Sequence, residues 1–147
     1  MALNIMPKSK NPSSLIERLR KALGREEDIL FAYLYGSAVY DPNLSMGDID
    51  VAVYLKGADM KQYISKEEEL TAFLASKLHT DKIDLRILNG LPLVLKYSIL
   101  KDGKLLFSRD ELQRVDFETS VMIRFLDLKP YLDEYRMMLS QRIRGAE

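Results

Sequence analysis

The sequence contains no cysteine, and its 147 residues include a single histidine, His79. Without cysteine the chain cannot form disulfide bonds, thiolate nucleophiles or zinc–thiolate centres, so a reducing cytoplasm is its simplest location. No residue close to His79 in the sequence would complete a catalytic triad with it. Cysteine chemistry is therefore excluded, and we expect His79 to have a structural or surface role.

An excess of charge of either sign is also missing, because 22 lysines and arginines balance 22 aspartates and glutamates. This balance argues against a broad basic face, and we expect no direct contact with nucleic acid. The chain lacks an apolar run of the roughly 20 residues that span a bilayer, and its N-terminal stretch MALNIMPKSKNPSS lacks the apolar core of a signal peptide. We therefore expect a cytoplasmic, water-soluble protein without a membrane partner.

Apolar periodicity predicts one domain of the α/β (α+β) class over residues 1–147, with a small mixed sheet and flanking helices. Residues 1–10 are expected to form a flexible arm, and Asn11 and Pro12 are suited to begin the first helix. The predicted elements are, in order, a helix ending at Gly24, strands at 28–35 and 49–55, a helix at 59–79, a strand at 82–88, a helix at 92–101, a strand at 104–107 and a final helical region.

The final helical region, 108–147, is predicted to begin at a capping box formed by Ser108 and Glu111. Pro130 is expected to break or kink it, with a second helix from Pro130 to about Arg144. Its two apolar stripes are wider than one narrow seam. The region would therefore either cover the sheet of its own domain or expose an apolar surface for a partner, and the sequence leaves both open.

Two aspartates, Asp48 and Asp50, stand at the mouth of the apolar run IDVAVYL. On one strand their side chains would share a face, with Cα atoms about 6.5 Å apart. Two anions this close repel each other unless a cation lies between them, and carboxylate oxygens favour magnesium or manganese. Asp84 lies in another apolar strand, which adjacency would bring beside the first pair. Three carboxylates on neighbouring strands predict a two-metal site for phosphoryl or nucleotidyl transfer.

Gly36 and Ser37 follow the first strand and precede the aspartate pair by ten residues. A glycine at a strand end lets the backbone approach a ligand, and backbone N–H groups with the Ser37 hydroxyl can hold phosphate oxygens. Either motif alone is common in ordinary loops and strand starts, so the functional prediction depends on their combination with Asp84. Together they predict a nucleoside triphosphate held between the two strands.

Four further residues near these motifs have two interpretations each. Lys82 and Arg86 share the face of Asp84, where they would contact phosphates or, as is commoner at a sheet rim, pair with carboxylates. Tyr35 and Tyr40 bracket the Gly-Ser turn. They would contact the base of a nucleotide or pack in the core, and packing is the more frequent role.

The combination of Gly36-Ser37, Asp48-x-Asp50 and the later Asp84 resembles the signature of the DNA polymerase β-like nucleotidyltransferases. The short chain is similar to their minimal nucleotidyltransferase (MNT) branch, whose members are antitoxins encoded beside HEPN-domain ribonuclease toxins. The segment from Leu95 to Tyr135, with its Asp-Leu-Lys-Pro break, resembles the tail of those antitoxins.

The resemblance implies a polymerase β-like fold and transfer of AMP from ATP to a tyrosine of a cognate HEPN-domain RNase toxin, which silences the toxin. Gly36 and Ser37 would bind the triphosphate. Asp48 and Asp50 would hold two Mg²⁺ ions, with Mn²⁺ as an alternative. Asp84 would complete the metal site and help to deprotonate the acceptor hydroxyl. The protein would form a hetero-oligomer with the toxin or a homo-oligomer.

Two other functions stay open at this point. The chain could be a non-catalytic antitoxin that blocks its toxin by binding, or a small-molecule nucleotidyltransferase of the aminoglycoside-modifying type. It departs from many relatives at two places: Ala38-Val39-Tyr40 stands where a basic residue often follows Gly-Ser, and Gly47 stands where serine often precedes Asp-x-Asp. Both departures leave the three aspartates intact.

Overall fold

The computed structural model describes residues 14–40, 47–57 and 59–145 of the chain, and this part contains four strands and four α-helices. The predicted order of elements is confirmed, whereas the arm at 1–10 and the proposed helix start at Asn11 and Pro12 lie outside the described residues. The elements are α1 (Leu15–Leu23), β1 (Ile29–Tyr35), β2 (Ile49–Leu55), α2 (Met60–Leu78), β3 (Ile83–Ile87), α3 (Leu93–Asp102), β4 (Lys104–Ser108) and α4 (Glu111–Gly145), with short 3₁₀ turns at Gly36–Val39 and Leu88–Gly90.

The four strands form one mixed sheet in the order β3-β2-β1-β4. β1 is antiparallel to both of its neighbours, and β3 is parallel to β2. The parallel pairing places the beginning of β3 beside the beginning of β2, next to the end of β1. The Gly-Ser turn and the strand aspartates therefore meet at one end of the sheet.

Helices cover both faces of the sheet, because side chains alternate between the faces along each strand. On one face, Leu19 and Leu23 of α1 and Leu74 of α2 pack with Val51 and Val53 of β2. A second apolar cluster lies on the other face, beneath α3 and the first half of α4; it includes Phe31, Tyr33, Ala52, Leu88 and Ile99, with Phe117 packed against it. Asp50 alternates with Val51, and its side chain therefore lies on the α3/α4 face.

The first half of α4 is attached to this second face by a polar and an aromatic contact. The Tyr33 hydroxyl donates a hydrogen bond to the Glu118 carboxylate, which also pairs with Arg114 at 2.9 Å. Burial, followed by the hydrogen bond to Glu118, raises the pKa of Tyr33. The rings of Phe31 and Phe117 lie 5.7 Å apart, centroid to centroid. These contacts fix the direction in which the rest of α4 leaves the domain.

The start and the middle of α4 differ from the sequence prediction. Ser108 ends β4, and the cap is Asp110, whose carboxylate accepts a hydrogen bond from the Gln113 N–H at 3.0 Å. The predicted second helix from Pro130 is wrong, because Pro130 lies inside one continuous helix. A proline removes one backbone donor, and the carbonyl it leaves free belongs to Leu126, which is exposed. Water can satisfy that carbonyl, so the helix continues.

His79 has the structural surface role expected from the sequence. It ends α2 in a left-handed backbone conformation with φ of 55°, and its N–H donates to the Ala75 carbonyl. Among the described residues, no helix combines the length and the apolar character needed to cross a membrane.

Candidate active site

The end of the sheet carries a row of polar side chains across three strands. Tyr35 of β1 is the register partner of Asp50 of β2, and Asp50 is the register partner of Asp84 of β3. Partners on neighbouring strands point to the same face, and adjacent strands lie about 4.8 Å apart. Asp48 precedes β2 by one residue and is exposed. The structure therefore brings Asp48, Asp50 and Asp84 into one place, as strand adjacency predicts.

Asp50, the central carboxylate of the row, has an altered electrostatic environment. It is partly buried, and burial together with the neighbouring carboxylates of Asp84 and Asp48 raises its pKa, while Arg86 opposes the rise. A raised pKa means that the folded chain holds this negative charge at a cost in free energy. Such a position is typical of a site that receives a cation.

Arg86 pairs with Asp84, with 3.5 Å between its Nε atom and an oxygen of the carboxylate. Both side chains are about half exposed, so this pair contributes little to stability. Arg86 therefore forms an ion pair with a carboxylate, as one of its two interpretations predicts. Among the described residues, no three acidic or histidine side chains already stand in a finished metal-binding arrangement.

The turn after β1 lies close against the side chain of Asp50. Gly36 has a φ of 72°, a left-handed conformation that favours glycine. A Cβ atom added there would overlap Asp50 Oδ2 and lie 3.2 Å from Asp50 Cγ. Gly36 and Ser37 are both exposed, so the start of the 3₁₀ turn presents its backbone N–H groups next to the carboxylates.

We expect Gly36→Ala to weaken binding of a nucleoside triphosphate at least about tenfold, because the added methyl group displaces the Asp50 carboxylate. The matched control is Gly57→Ala: Gly57 has a similar φ of 66°, but no atom lies within 4 Å of the position of its Cβ. Calorimetric titration with Mg²⁺ and a non-hydrolysable ATP analogue measures both variants. Equal loss of affinity in both would show that backbone strain alone, rather than contact with Asp50, is responsible.

Two residues at the departures from the family pattern, Gly47 and Ala38, have local structural reasons. Gly47 has a φ of 104°, which a serine would rarely adopt, so the chain entering β2 requires glycine there. Ala38 is buried among core residues beneath the turn, where a lysine or arginine would not fit without burying its charge. Neither departure moves Asp48 or Asp50 from the end of the sheet.

A cavity of about 260 Å³ adjoins the Gly-Ser turn and is lined by Tyr35, Gly36, Ser37, Tyr40, Ser98 and Asp102. The side chain of Tyr40 is 78% exposed, so the prediction that Tyr40 packs in the core is wrong. Tyr35 forms part of the wall nearest Asp50. The cavity therefore shares one boundary with the three carboxylates.

Two residues of this end of the sheet, Ser98 and Asp102, carried no clear signal in the sequence, whereas Tyr35 was already a candidate beside the Gly-Ser turn. Burial, and then Asp50 and Asp84, raise the pKa of Tyr35 to about 12, so its phenol stays protonated beside the carboxylates at neutral pH. Ser98 and Asp102 reach the turn from α3, more than sixty residues later in the chain. Only the packing of α3 on the sheet reveals them, because no local spacing connects them with Gly36.

The donor set of the site suits a hard divalent cation. Three carboxylates supply oxygen ligands, and both burial and the neighbouring carboxylates, which together raise the pKa of Asp50, disfavour a charge that a cation would stabilise. Asp48 and Asp84 are accessible enough to turn toward a shared ion. The residues present therefore fit the magnesium or manganese that the sequence predicts.

The chain belongs to the polymerase beta nucleotidyltransferase family, whose model matches residues 17–112. The matched region begins in α1, includes the Gly-Ser turn and all three aspartates, and ends at the start of α4.

Several solved structures with a similar fold come from toxin–antitoxin complexes. A crystal structure of the toxin–antitoxin pair MntA-HepT aligns with a TM-score of 0.61 and 22% identity, over 87% of this chain and 96% of that one. The tri-AMPylated HEPN toxin of Shewanella oneidensis in complex with its MNT antitoxin gives the same TM-score and identity, over 87% and 95%. A toxin–antitoxin structure with AMP-PNP gives 0.58 and 21%, over 90% and 98%. At this identity the likeness shows the fold, and no curated protein matches the chain significantly.

Proposed function

We propose that this chain is an antitoxin nucleotidyltransferase that transfers AMP from ATP to a tyrosine of a cognate HEPN-domain RNase toxin. The observation that carries the proposal is the row of Asp50 and Asp84 beside Asp48, with the Gly36 backbone pressed against it. A similar fold solved in complex with a tri-AMPylated HEPN toxin supports such a toxin as the acceptor. In this proposal residues 1–147 act as one minimal nucleotidyltransferase domain.

The proposed roles divide the site into two halves. The Ser37 hydroxyl and the backbone N–H groups of the 3₁₀ turn bind phosphate oxygens of ATP. Asp48, Asp50 and Asp84 hold two Mg²⁺ ions, or Mn²⁺, which supply neutralisation of charge on the phosphates when bound. Asp84 also accepts the proton of the acceptor hydroxyl, and Arg86 beside it keeps that carboxylate oriented.

The reaction then requires mainly positioning and electrostatics from the chain. The acceptor oxygen bonds to the α-phosphorus of ATP, the bond between the α-phosphorus and the bridging oxygen breaks, and pyrophosphate leaves in line. The turn that holds the leaving phosphates and the strands that hold the carboxylates are joined by β-sheet hydrogen bonds. Their relative position is therefore fixed before substrate arrives.

The direct experiment measures the intact mass of the HEPN-domain RNase after incubation with this protein, ATP and magnesium. The proposal expects addition of one or more AMP groups together with loss of RNase activity. Omission of ATP or addition of a magnesium chelator should abolish both changes. An RNase that is silenced without any gain in mass would refute AMP transfer as the mechanism.

A second feature supports binding of a protein partner. From Leu126 to Gly145 no side chain of α4 is buried, a length of about 30 Å of helix. Apolar side chains continue the inward face of the helix along this segment at spacings of three and four residues; we call them the tail seam, and they are Leu128, Leu132, Tyr135, Leu139 and Ile143. Such spacing suits packing against another helix. We propose that the tail seam binds the toxin.

The tail seam also favours one alternative function, a non-catalytic antitoxin that blocks the toxin by binding alone. The two functions differ in what the aspartates contribute. If occlusion is sufficient, a chain with both Asp48 and Asp50 replaced by alanine still silences the RNase without ATP. If AMP transfer is required, that chain binds the RNase and leaves it active.

A further inference from the structure

The cavity beside the Gly-Ser turn lies on the same face of the sheet as the three carboxylates. Its walls come from the end of β1, the 3₁₀ turn and the C-terminal half of α3. In the proposed function the turn binds the phosphates and the aspartates lie at the reacting α-phosphorus. The nucleoside must then contact other residues at this end of the sheet. This step rests on the proposed function, and the cavity borders the turn at Gly36 and Ser37 and comes nearest to Asp50 at Tyr35.

Asp102 gives the cavity a charge that excludes phosphate. It is the last residue of α3, where a carboxylate faces the negative end of the helix dipole. No ion pair to Asp102 exists among the described residues. Asp102 is exposed, so water solvates its carboxylate and the helix dipole costs it little, and its oxygens are available to accept hydrogen bonds from a ligand in the cavity.

A carboxylate without a cation in a nucleotide site has a natural partner in a sugar hydroxyl. Hydroxyl groups donate to carboxylate oxygens, and an acidic side chain that accepts from ribose is a recurrent means of holding a nucleoside. Ser98 lies one turn earlier on α3 and also lines the cavity, so a second hydroxyl-binding group is available on the same wall. The exposed ring of Tyr40 offers an apolar surface at the cavity for the base.

We propose that this cavity binds the nucleoside of the triphosphate, with Asp102 and Ser98 accepting hydrogen bonds from the ribose hydroxyls and Tyr40 lying against the base. The cavity thereby selects ribonucleotides over nucleotides that lack both sugar hydroxyls. The cavity has a volume of about 260 Å³ and borders the Gly-Ser turn, where the proposed function places the phosphates.

The test compares binding of ATP and 2′,3′-dideoxy-ATP to the full chain by calorimetric titration with Mg²⁺, in the absence of any toxin. The wild-type chain should prefer ATP by about tenfold or more, the size of one hydrogen bond to a charged group. Asp102→Ala should weaken ATP binding by about that factor and leave dideoxy-ATP unchanged. The control Asp127→Ala, an exposed aspartate of α4, should alter neither.

Other outcomes overturn the proposal. Tighter binding of ATP by Asp102→Ala would show that phosphates enter the cavity. An equal preference for ATP in the wild type and in Asp102→Ala would show that another residue contacts the ribose. In both cases ATP still binds, and the proposed function stands. A wild-type chain that binds neither nucleotide would refute the proposed function together with this inference.

Discussion

Replacing Asp50 by asparagine is expected to reduce AMP transfer at least about a hundredfold, the loss typical when one charge-stabilising group is removed from a reacting centre. Asparagine keeps the size of the side chain and removes the charge. Because Asp50 lies between Tyr35 and Asp84 in the row, the loss of its charge affects both neighbours. The rate of AMP addition to the HEPN-domain RNase, followed by intact mass, measures the effect.

The same substitution is expected to stabilise the fold at pH 7. The pKa of Asp50 is raised above its ordinary value of 3.8, so its protonated form is favoured by folding. That contribution is complete below the unfolded pKa and is lost as the pH rises through the higher folded pKa, which leaves a destabilising charge at neutral pH. The free energy of unfolding, measured with urea, should therefore be higher for Asp50→Asn at pH 7, and the difference should vanish below about pH 3.

Adding Mg²⁺ tests whether the charge of Asp50, rather than a change in packing, causes this difference in stability. Wild-type protein should gain stability when Mg²⁺ is added, since a ligand that binds only the folded chain stabilises it, and Asp50→Asn should gain much less. Asp127→Asn is the control, because Asp127 is exposed on α4 and should change neither rate nor stability. An Asp50→Asn protein that transfers AMP at the wild-type rate, or that unfolds more easily at pH 7, contradicts the assignment.

The meeting of Asp50 and Asp84 could be predicted because each stands near the start of a short apolar run, and such runs form strands in a small domain. The pairing of these two residues depends on the parallel arrangement of β2 and β3, which the helix α2 between them permits. Local patterning therefore predicted which aspartates form the site, whereas the pairing register of β2 and β3 became known only from the fold.

Other parts of the site depend on tertiary packing and had no local signal. Asp102 reaches the Gly-Ser turn only because α3 lies across the sheet, and a single aspartate at a helix end does not stand out in a sequence. Tyr40 was expected in the core because tyrosines usually bury their rings, and the turn instead leaves it exposed. The rule that proline interrupts a helix also overestimated the effect of Pro130, because an exposed helix tolerates the loss of one backbone hydrogen bond.

Two glutamate substitutions in the tail seam, Tyr135→Glu and Leu139→Glu, are each expected to weaken binding of the HEPN-domain RNase by about thirtyfold or more. Residues that anchor an interface contribute about 2 kcal/mol, and a buried glutamate without a partner adds its own cost. The substituted side chains are exposed in the isolated chain, at 64% and 43%. Its free energy of unfolding should therefore stay within about 0.5 kcal/mol of the wild-type value.

The control Met137→Glu places the same charge on the same helix, two residues from Tyr135 and therefore on the opposite side. Met137 is 61% exposed, and its replacement should leave the affinity for the RNase unchanged. Equal losses of affinity at positions 135, 137 and 139 would mean that the added charge repels the partner from a distance. An unchanged affinity at all three positions would show that the tail seam is not part of the interface. At saturating RNase the tail seam variants should still add AMP at the wild-type rate, because the aspartates that perform the transfer lie at the end of the sheet and the tail seam acts only in docking.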